Sequence, residues 1–386
     1  MNDTTSLTRR AALGLLGATV LAAPGRAAAE GKVLKIGALC SVTGPSASIG
    51  KESLSGLQYG VKQLNDAGGV TIGPDTWRIE FINADDESKP ERAVAAAERL
   101  ITGEKVSLIF TPPASTPTLA MLPIAEHNKT LAFSFVASAP AVVSPEFSYS
   151  FRNTLSSIMN VAPAIDYLIK QRGVKTLAYL GRNDDWGRTS SREAIATAKQ
   201  LGASFVVEEY FDNGSTDFYS LLTKVRSAAP DALVAAAFTE DGVPMIKQFR
   251  ELRMKPMFMS LGVIWTSPTF LKAAGPAVEG VTISTGPTTS ASPARAVFAA
   301  AFEKTAGHPP LPYEITSYDS LMLVLAAMKQ AGSTDPTTVR DTLEHFEYPG
   351  ILQTYKFNGS RQSEVQININ EVKNGVVVPI ESERAG

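Results

Sequence analysis

The sequence predicts an α/β protein of two lobes, each a parallel sheet covered by helices on both faces. Three observations carry that expectation. Short β-branched or apolar runs alternate with segments of helical spacing along most of the chain. The alternation runs through residues 32–135 and restarts near residue 159. At 386 residues the chain is too long for one ordinary core and suits two.

Lys32–Leu39 reads as a strand, and Ser53–Ala67 as a helix that stops at Gly68-Gly69. Trp77–Asn83 alternates like a strand, Lys89–Ile101 is rich in alanine and charge like a helix, and Val106–Phe110 is again strand-like. Thr118–His127 is helical and Leu131–Phe135 is a strand. After the restart, Met159–Arg172, Ser190–Leu201, Tyr219–Ala228 and Pro244–Leu252 read as helices. Thr176–Leu180, Ser204–Glu209, Asp231–Ala237, Met257–Ser260 and Val281–Ser284 read as strands among them. Strands alternating with helices at this spacing argue for parallel pairing. The chain then turns helical at Pro293–Ala306, Ser317–Gln330 and Thr337–Glu344. The tail is strand-like at Gln353–Phe357, Val365–Asn370 and Val376–Ile380, with turns at Asn358-Gly359 and Asn374-Gly375.

The first residues differ in kind. Arg9-Arg10, an apolar run from Ala11 to Ala23 and Ala27-Ala28-Ala29 before Glu30 make a secretory leader over residues 1–29, and Thr8-Arg9-Arg10 resembles a twin-arginine signal. As a membrane anchor the run is short of the roughly 20 residues that a span needs. Cleavage removes Arg9, Arg10, Arg26 and Asp3, taking the net charge from −2 to −4. A periplasmic, soluble protein is expected. Charged residues are 19% of the chain with no basic excess, so no nucleic-acid partner is expected. Cys40, the single cysteine, ends an apolar strand well past the leader and reads as a buried thiol.

The turns after the strands carry the chemistry. Gly44 to Lys51 looks like a phosphate loop, but five residues separate Gly44 from Gly50-Lys51 where four are required, and Glu52 replaces the magnesium-binding hydroxyl. Thr111-Pro112-Pro113-Ala114-Ser115-Thr116 and Ser134-Phe135-Val136-Ala137-Ser138 place small hydroxyls and amides at strand ends, a setting that suits anions. Ser115 alone could be an N-cap; three such turns in register favour a shared cleft. In the second half, Trp186 in Asn183-Asp184-Asp185-Trp186-Gly187 could close on a ligand or simply pack. Glu240 and Asp241 could anchor a cation or favour the start of the following helix. His127, His308 and His345 lie in separate segments, and neither an H-x-x-x-H metal spacing nor a G-x-S-x-G elbow occurs, so no enzyme, metal or cofactor is expected.

Taken together, Thr43-Gly44-Pro45 with Ile49-Gly50, Ala67-Gly68-Gly69-Val70, Ile82-Asn83-Ala84-Asp85-Asp86-Glu87 before Pro90, Phe151-Arg152-Asn153, Asp184-Asp185-Trp186-Gly187 and Tyr318-Asp319 occur in a specific order and spacing. In this the chain resembles the type I periplasmic binding proteins of the leucine/isoleucine/valine-binding branch, over residues 31–380. The resemblance implies two Rossmann-like lobes joined by three crossovers, near Asn153–Ser157, Thr285–Pro287 and Leu352–Lys356. Lobe 1 is then 31–153 plus 287–353, and lobe 2 is 154–286 plus 354–386. It implies a monomeric receptor that traps a small ligand and hands it to the membrane permease of an ABC transporter. A ligand-binding subunit of a sensory system is the alternative, and an exported enzyme a distant third.

By the same resemblance the ligand carboxylate falls to Ser115, with Thr116 beside it, to the backbone of Val136 and to Ser138. Ile49 falls where an aromatic residue is common, Trp186 on an aromatic lid, and Phe238 or Thr239 on an aromatic wall. The acidic partner of an amino acid's ammonium falls on Gly262, within the uncharged loop Leu261-Gly262-Val263-Ile264-Trp265. A buried ammonium without a partner is expensive. An apolar or aromatic carboxylate against Trp186, Trp265 and Phe238 is therefore expected as the better ligand, unless Glu240 or Asp241 supplies the charge.

Overall fold

The computed structural model describes residues 32–287 and 293–385; the expected leader lies outside the described residues. The first sheet is built from β1 (Lys32–Ala38), β2 (Val70–Ile72), β3 (Asp75–Asn83), β4 (Leu108–Phe110), β5 (Leu131–Ser134) and β6 (Ser150–Arg152). Its order is β2-β3-β1-β4-β5-β6, parallel except for the β2–β3 hairpin. Between the strands run α1 (Ala47–Asp66), α2 (Pro90–Glu98) and α3 (Ser115–His127). β4 and β5 are wholly buried runs, as strands covered on both faces must be.

The second sheet repeats the plan. β7 (Thr176–Arg182), β8 (Ser204–Phe211), β9 (Ala232–Ala236), β10 (Met257–Leu261) and β11 (Thr282–Thr285) alternate with α4 (Ser157–Asp166), before β7, and with α5 (Asp185–Gln200), α6 (Tyr219–Ala228), α7 (Thr239–Glu251) and α8 (Pro268–Ala274). α9 (Pro293–Ala306), α10 (Pro312–Ala331) and α11 (Pro336–Leu343) follow, and α10 packs back along α1 beside the first sheet. β12 (Glu347–Pro349) and β13 (Thr354–Lys356) form a small ribbon. β14 (Val365–Lys373) and β15 (Val376–Ala385) then close the second sheet in antiparallel fashion, giving the order β15-β14-β11-β10-β9-β7-β8.

The chain passes between the sheets after Arg152, after Thr285 and before Val365. The last passage comes later than the sequence suggested. Tyr355 and Phe357, expected in the second lobe, pack in the core of the first sheet, with the Phe357 ring 5.7 Å from Phe151. Asp319 in α10 holds this stretch: it accepts from Ile351 N and Leu352 N, and from the Tyr355 hydroxyl at 3.0 Å.

Several helices begin earlier than their periodicity indicates: α1 at Ala47 rather than Ser53, α5 at Asp185 rather than Ser190, and α7 at Thr239 rather than Pro244. Their first turns are rich in Gly, Ser, Asp and Thr, which are weak helix formers and mask the period. Gly50 shows what those residues are for. A Cβ there would lie 1.7 Å from the Ser41 carbonyl oxygen, so only glycine lets α1 seat against the loop after β1.

Candidate ligand-binding cleft

The loops at the carboxyl ends of the parallel strands of both sheets converge, which is where open α/β sheets bind ligands. From the first sheet come the loops after β1, β4 and β5. Asp85 shapes the first of these by accepting from Val42 N and from the Thr43 hydroxyl, and Asp86 accepts from the Ser41 hydroxyl. Buried Arg152 holds the third by donating to the carbonyls of Ala137 and Ala139. These are the structural roles of two of the sequence motifs quoted above.

The convergence encloses a small, partly open cavity. Six of the residues singled out by sequence line it: Ser115, Val136 and Ser138 on the first-sheet side, and Trp186, Phe238 and Gly262 on the other. Ser115 opens α3, and its Oγ accepts the Ala139 N–H at 3.1 Å, which leaves the hydroxyl proton to donate elsewhere. Trp186 and Phe238 are stacked, with centroids 5.0 Å apart and planes 20° from parallel. The Arg182 guanidinium covers the Phe238 ring at 4.3 Å. Arg182 is itself fully buried and paired with Asp184 and Asp241, each at 2.9 Å. Gly262 sits at φ +141°, a backbone state open to glycine, with the Trp186 ring 3.8 Å from where a Cβ would stand.

The other four are not in the cavity lining. Ile49 is wholly buried and joins the core of the second sheet across the cleft. Thr116 Oγ accepts from Asp185 N at 3.2 Å. Thr239 is the first residue of α7, and its buried hydroxyl has no hydrogen-bond partner. Glu240 Oε1 accepts from Ser48 N at 2.9 Å and from the Ser48 hydroxyl at 2.8 Å. With Arg182 donating to the Pro45 carbonyl and Ser267 to Glu52, these contacts tie the two halves together, so the cleft is closed.

Two expectations are corrected. Asp241 is committed to Arg182, Phe238 N and Gly214 N, and so offers no charge to a ligand. Glu240 uses Oε1 as a latch on Ser48, while its Oε2 is buried without a hydrogen-bond partner. Trp265 is buried between Phe258 and Phe270, with its indole N–H donating to the Ala237 carbonyl, because the loop turns it into the core rather than the cleft.

Sequence reasoning missed part of the lining. Pro113, Val263 and Ile264 lie in turns already singled out, and Thr154 and Leu155 in the first crossover. Asn160 and Tyr313 lie inside helices. Asn160 had a readable signal. It interrupts the buried stripe of α4 that continues through Val161, Ala164 and Ile165, and a polar residue on an apolar stripe calls for a partner. Among the described residues that line the cavity there is no Asp, Glu, Lys, Arg or His.

Two doubly wound sheets close over a cleft whose described lining carries no ionic side chain. A family model described as periplasmic binding protein matches residues 33–375, and the chain belongs to that family, whose members bind solutes and are not enzymes. A relative named amino acid binding protein from Pseudomonas aeruginosa is 26% identical over 303 residues, which cover 78% of this chain and 80% of that one. Among solved structures, a branched-chain amino acid transporter substrate-binding protein of Streptococcus pneumoniae, in complex with isoleucine, matches with a TM-score of 0.82 at 22% identity, over 92% of this chain and 100% of its own. A solute-binding protein of an ABC transporter from R. palustris, in complex with benzoate, matches at 0.83 and 21% identity, over 91% and 96%. These two likenesses speak to the fold. The family places the protein outside the cytoplasm.

Proposed function

We propose that the protein is the extracytoplasmic receptor of an ABC importer and that it captures a small apolar or aromatic carboxylate between its two lobes. The observation that carries this reading is the cavity itself: hydroxyls on one side, stacked aromatic rings on the other, and no ionic side chain to pair with an ammonium. A carboxylate is served by the Ser115 and Ser138 hydroxyls and by the positive end of α3. The body of the ligand packs on Trp186 and Phe238. Relatives named for amino acids, and fold neighbours holding isoleucine and benzoate, support a carboxylate as the common element. No bond chemistry is needed: a ligand that touches both lobes shifts the open–closed population, and the closed form docks on the permease. Residues 1–29 act as the export leader and are removed.

A thermal-shift screen tests this. A ligand at about 100 times its Kd adds roughly 2.7 kcal/mol of stability. Apolar and aromatic carboxylates without an amine are expected to raise the melting temperature, and leucine to do so weakly or not at all. Stabilisation by leucine alone would overturn the choice of ligand class.

A further inference from the structure

Asn160 lines the cavity, is 1% exposed, and leaves its Oδ1 without a hydrogen-bond partner. Its orientation is fixed. Nδ2 donates to the Ser284 carbonyl at 3.3 Å, while the Ser284 hydroxyl donates to the Asn160 carbonyl at 2.8 Å. The nitrogen end of the amide is thereby held against β11, and the oxygen end is left over. Gly262 N donates to the same Ser284 carbonyl at 3.3 Å, which ties the Gly262 loop, with Trp186 close by, to the strand end that holds the amide. A buried acceptor left unmade is costly, and such a group in a ligand cleft calls for a donor from the ligand.

We infer that Asn160 is a specificity-determining residue that accepts a hydrogen bond from a hydroxyl on the ligand, so that the preferred ligand is a hydroxy-carboxylate. This rests on the carboxylate reading above and narrows it. The choice between a hydroxyl and an ammonium follows from charge. Either could donate to Oδ1, but the cavity lining holds no acidic side chain, so an ammonium gives up its hydration without gaining a counter-charge. A hydroxyl is neutral, is cheaper to strip of water, and supplies the one proton that Oδ1 needs. A plain carboxylate leaves Oδ1 unpaired. A site built around a hydrogen bond rejects the analogue that lacks it more sharply than an apolar pocket rejects a missing methylene.

The test compares matched probes by calorimetric titration: 2-hydroxy-4-methylpentanoate against 4-methylpentanoate and leucine, 3-phenyllactate against 3-phenylpropionate and phenylalanine, and 4-hydroxybenzoate against benzoate. In at least one series the hydroxyl member is expected to bind about tenfold or more tightly than its counterpart without the hydroxyl. Asn160→Leu should bring that ratio to about one. Asn160→Asp keeps the shape and places an anion at the same spot, so it should move the ratio of hydroxyl to amine binding at least about tenfold toward the amine. The Asp variant decides the matter if the Leu variant fails to fold. Equal binding with and without the hydroxyl, or a preference that survives at both variants, overturns the role of Asn160 and leaves the carboxylate receptor standing. Failure of every carboxylate to bind overturns both.

Discussion

Ser138 and Ser115 are small residues whose worth lies in what holds them. Ser138 rides on a loop fixed by the Arg152 guanidinium through the Ala137 and Ala139 carbonyls, and its own carbonyl accepts the first amide of α4, Ser157 N, at 2.7 Å. Ser115 is pinned by Ala139 N on the same loop. The two hydroxyls are therefore pre-set, and a ligand pays little to order them. Ser138→Ala removes one hydrogen bond to a charged group and leaves the loop intact, so it should weaken carboxylate binding roughly ten- to a hundredfold without changing the melting temperature of the free protein. Titration of the variant with benzoate or another bound carboxylate checks this, and unchanged affinity removes Ser138 from the site. At this scale the sequence was informative wherever a small polar residue followed a strand. It was silent on Tyr313 and gave only a weak sign of Asn160, because these reach the cavity from helices whose position depends on packing partners far away in the chain.

At the scale of elements, one buried ion cluster organises the second-sheet wall of the cleft. Arg182 ends β7, Asp184 caps α5 by accepting from Gly187 N, and Asp241 in the first turn of α7 accepts from Phe238 N. A single guanidinium thus joins a strand and the starts of two helices, and backs the Phe238 ring that stacks on Trp186. Removing Asp241 leaves Arg182 paired with Asp184 alone and strips one guanidinium N–H and the Gly214 and Phe238 amides of their acceptor. Asp241→Ala should cost about 3–5 kcal/mol in urea unfolding, at about 1–3 kcal/mol for each buried donor left unsatisfied, and should also weaken ligand binding, since the aromatic wall loses its support. A loss below about 1 kcal/mol would show that the cluster is not what holds α7. The alternation of strands and helices was legible because it rests on local period, whereas the starts of α1, α5 and α7 were not. Those first turns are poor helix formers by composition and are kept helical by contacts across the cleft and to the strand loops, such as Glu240 with Ser48 and Thr116 with Asp185. Asp319 makes the same point for the third passage: its hold on Ile351, Leu352 and Tyr355 keeps the chain on the first lobe beyond the turn where sequence placed the crossing.

For the molecule as a whole, closure brings a titratable group under cover. Glu52 lies in α1 beside the first sheet and accepts from the Ser267 hydroxyl at 3.1 Å, at the start of α8 on the second. Tyr313 N donates to its other oxygen, and Glu314 and His308 are the ionisable groups facing it. Burial raises its pKa to about 7, with the Ser267 and Tyr313 hydrogen bonds opposing that rise. The sign follows directly. A carboxyl whose folded value stands above its unfolded one contributes stability that is present below the ordinary carboxylate range and is lost as pH rises through about 7. Opening the lobes lets water reach Glu52, and relief of burial, the largest cause of the shift, outweighs the loss of the Ser267 hydrogen bond, so the open form has the lower pKa and closure takes up a proton. Ligand affinity should therefore fall several-fold from pH 6 to pH 8 for a carboxylate that is itself ionised throughout, since linkage allows up to about tenfold per pH unit. Glu52→Gln, neutral at every pH, should flatten the dependence while keeping an acceptor for Ser267. Titrations at the two pH values in buffers of different ionisation enthalpy read both the affinity and the proton taken up. A flat wild-type profile, or a slope that persists in the Gln variant, would assign the closing free energy to the latch between Glu240 and Ser48 and to the aromatic wall instead of to Glu52.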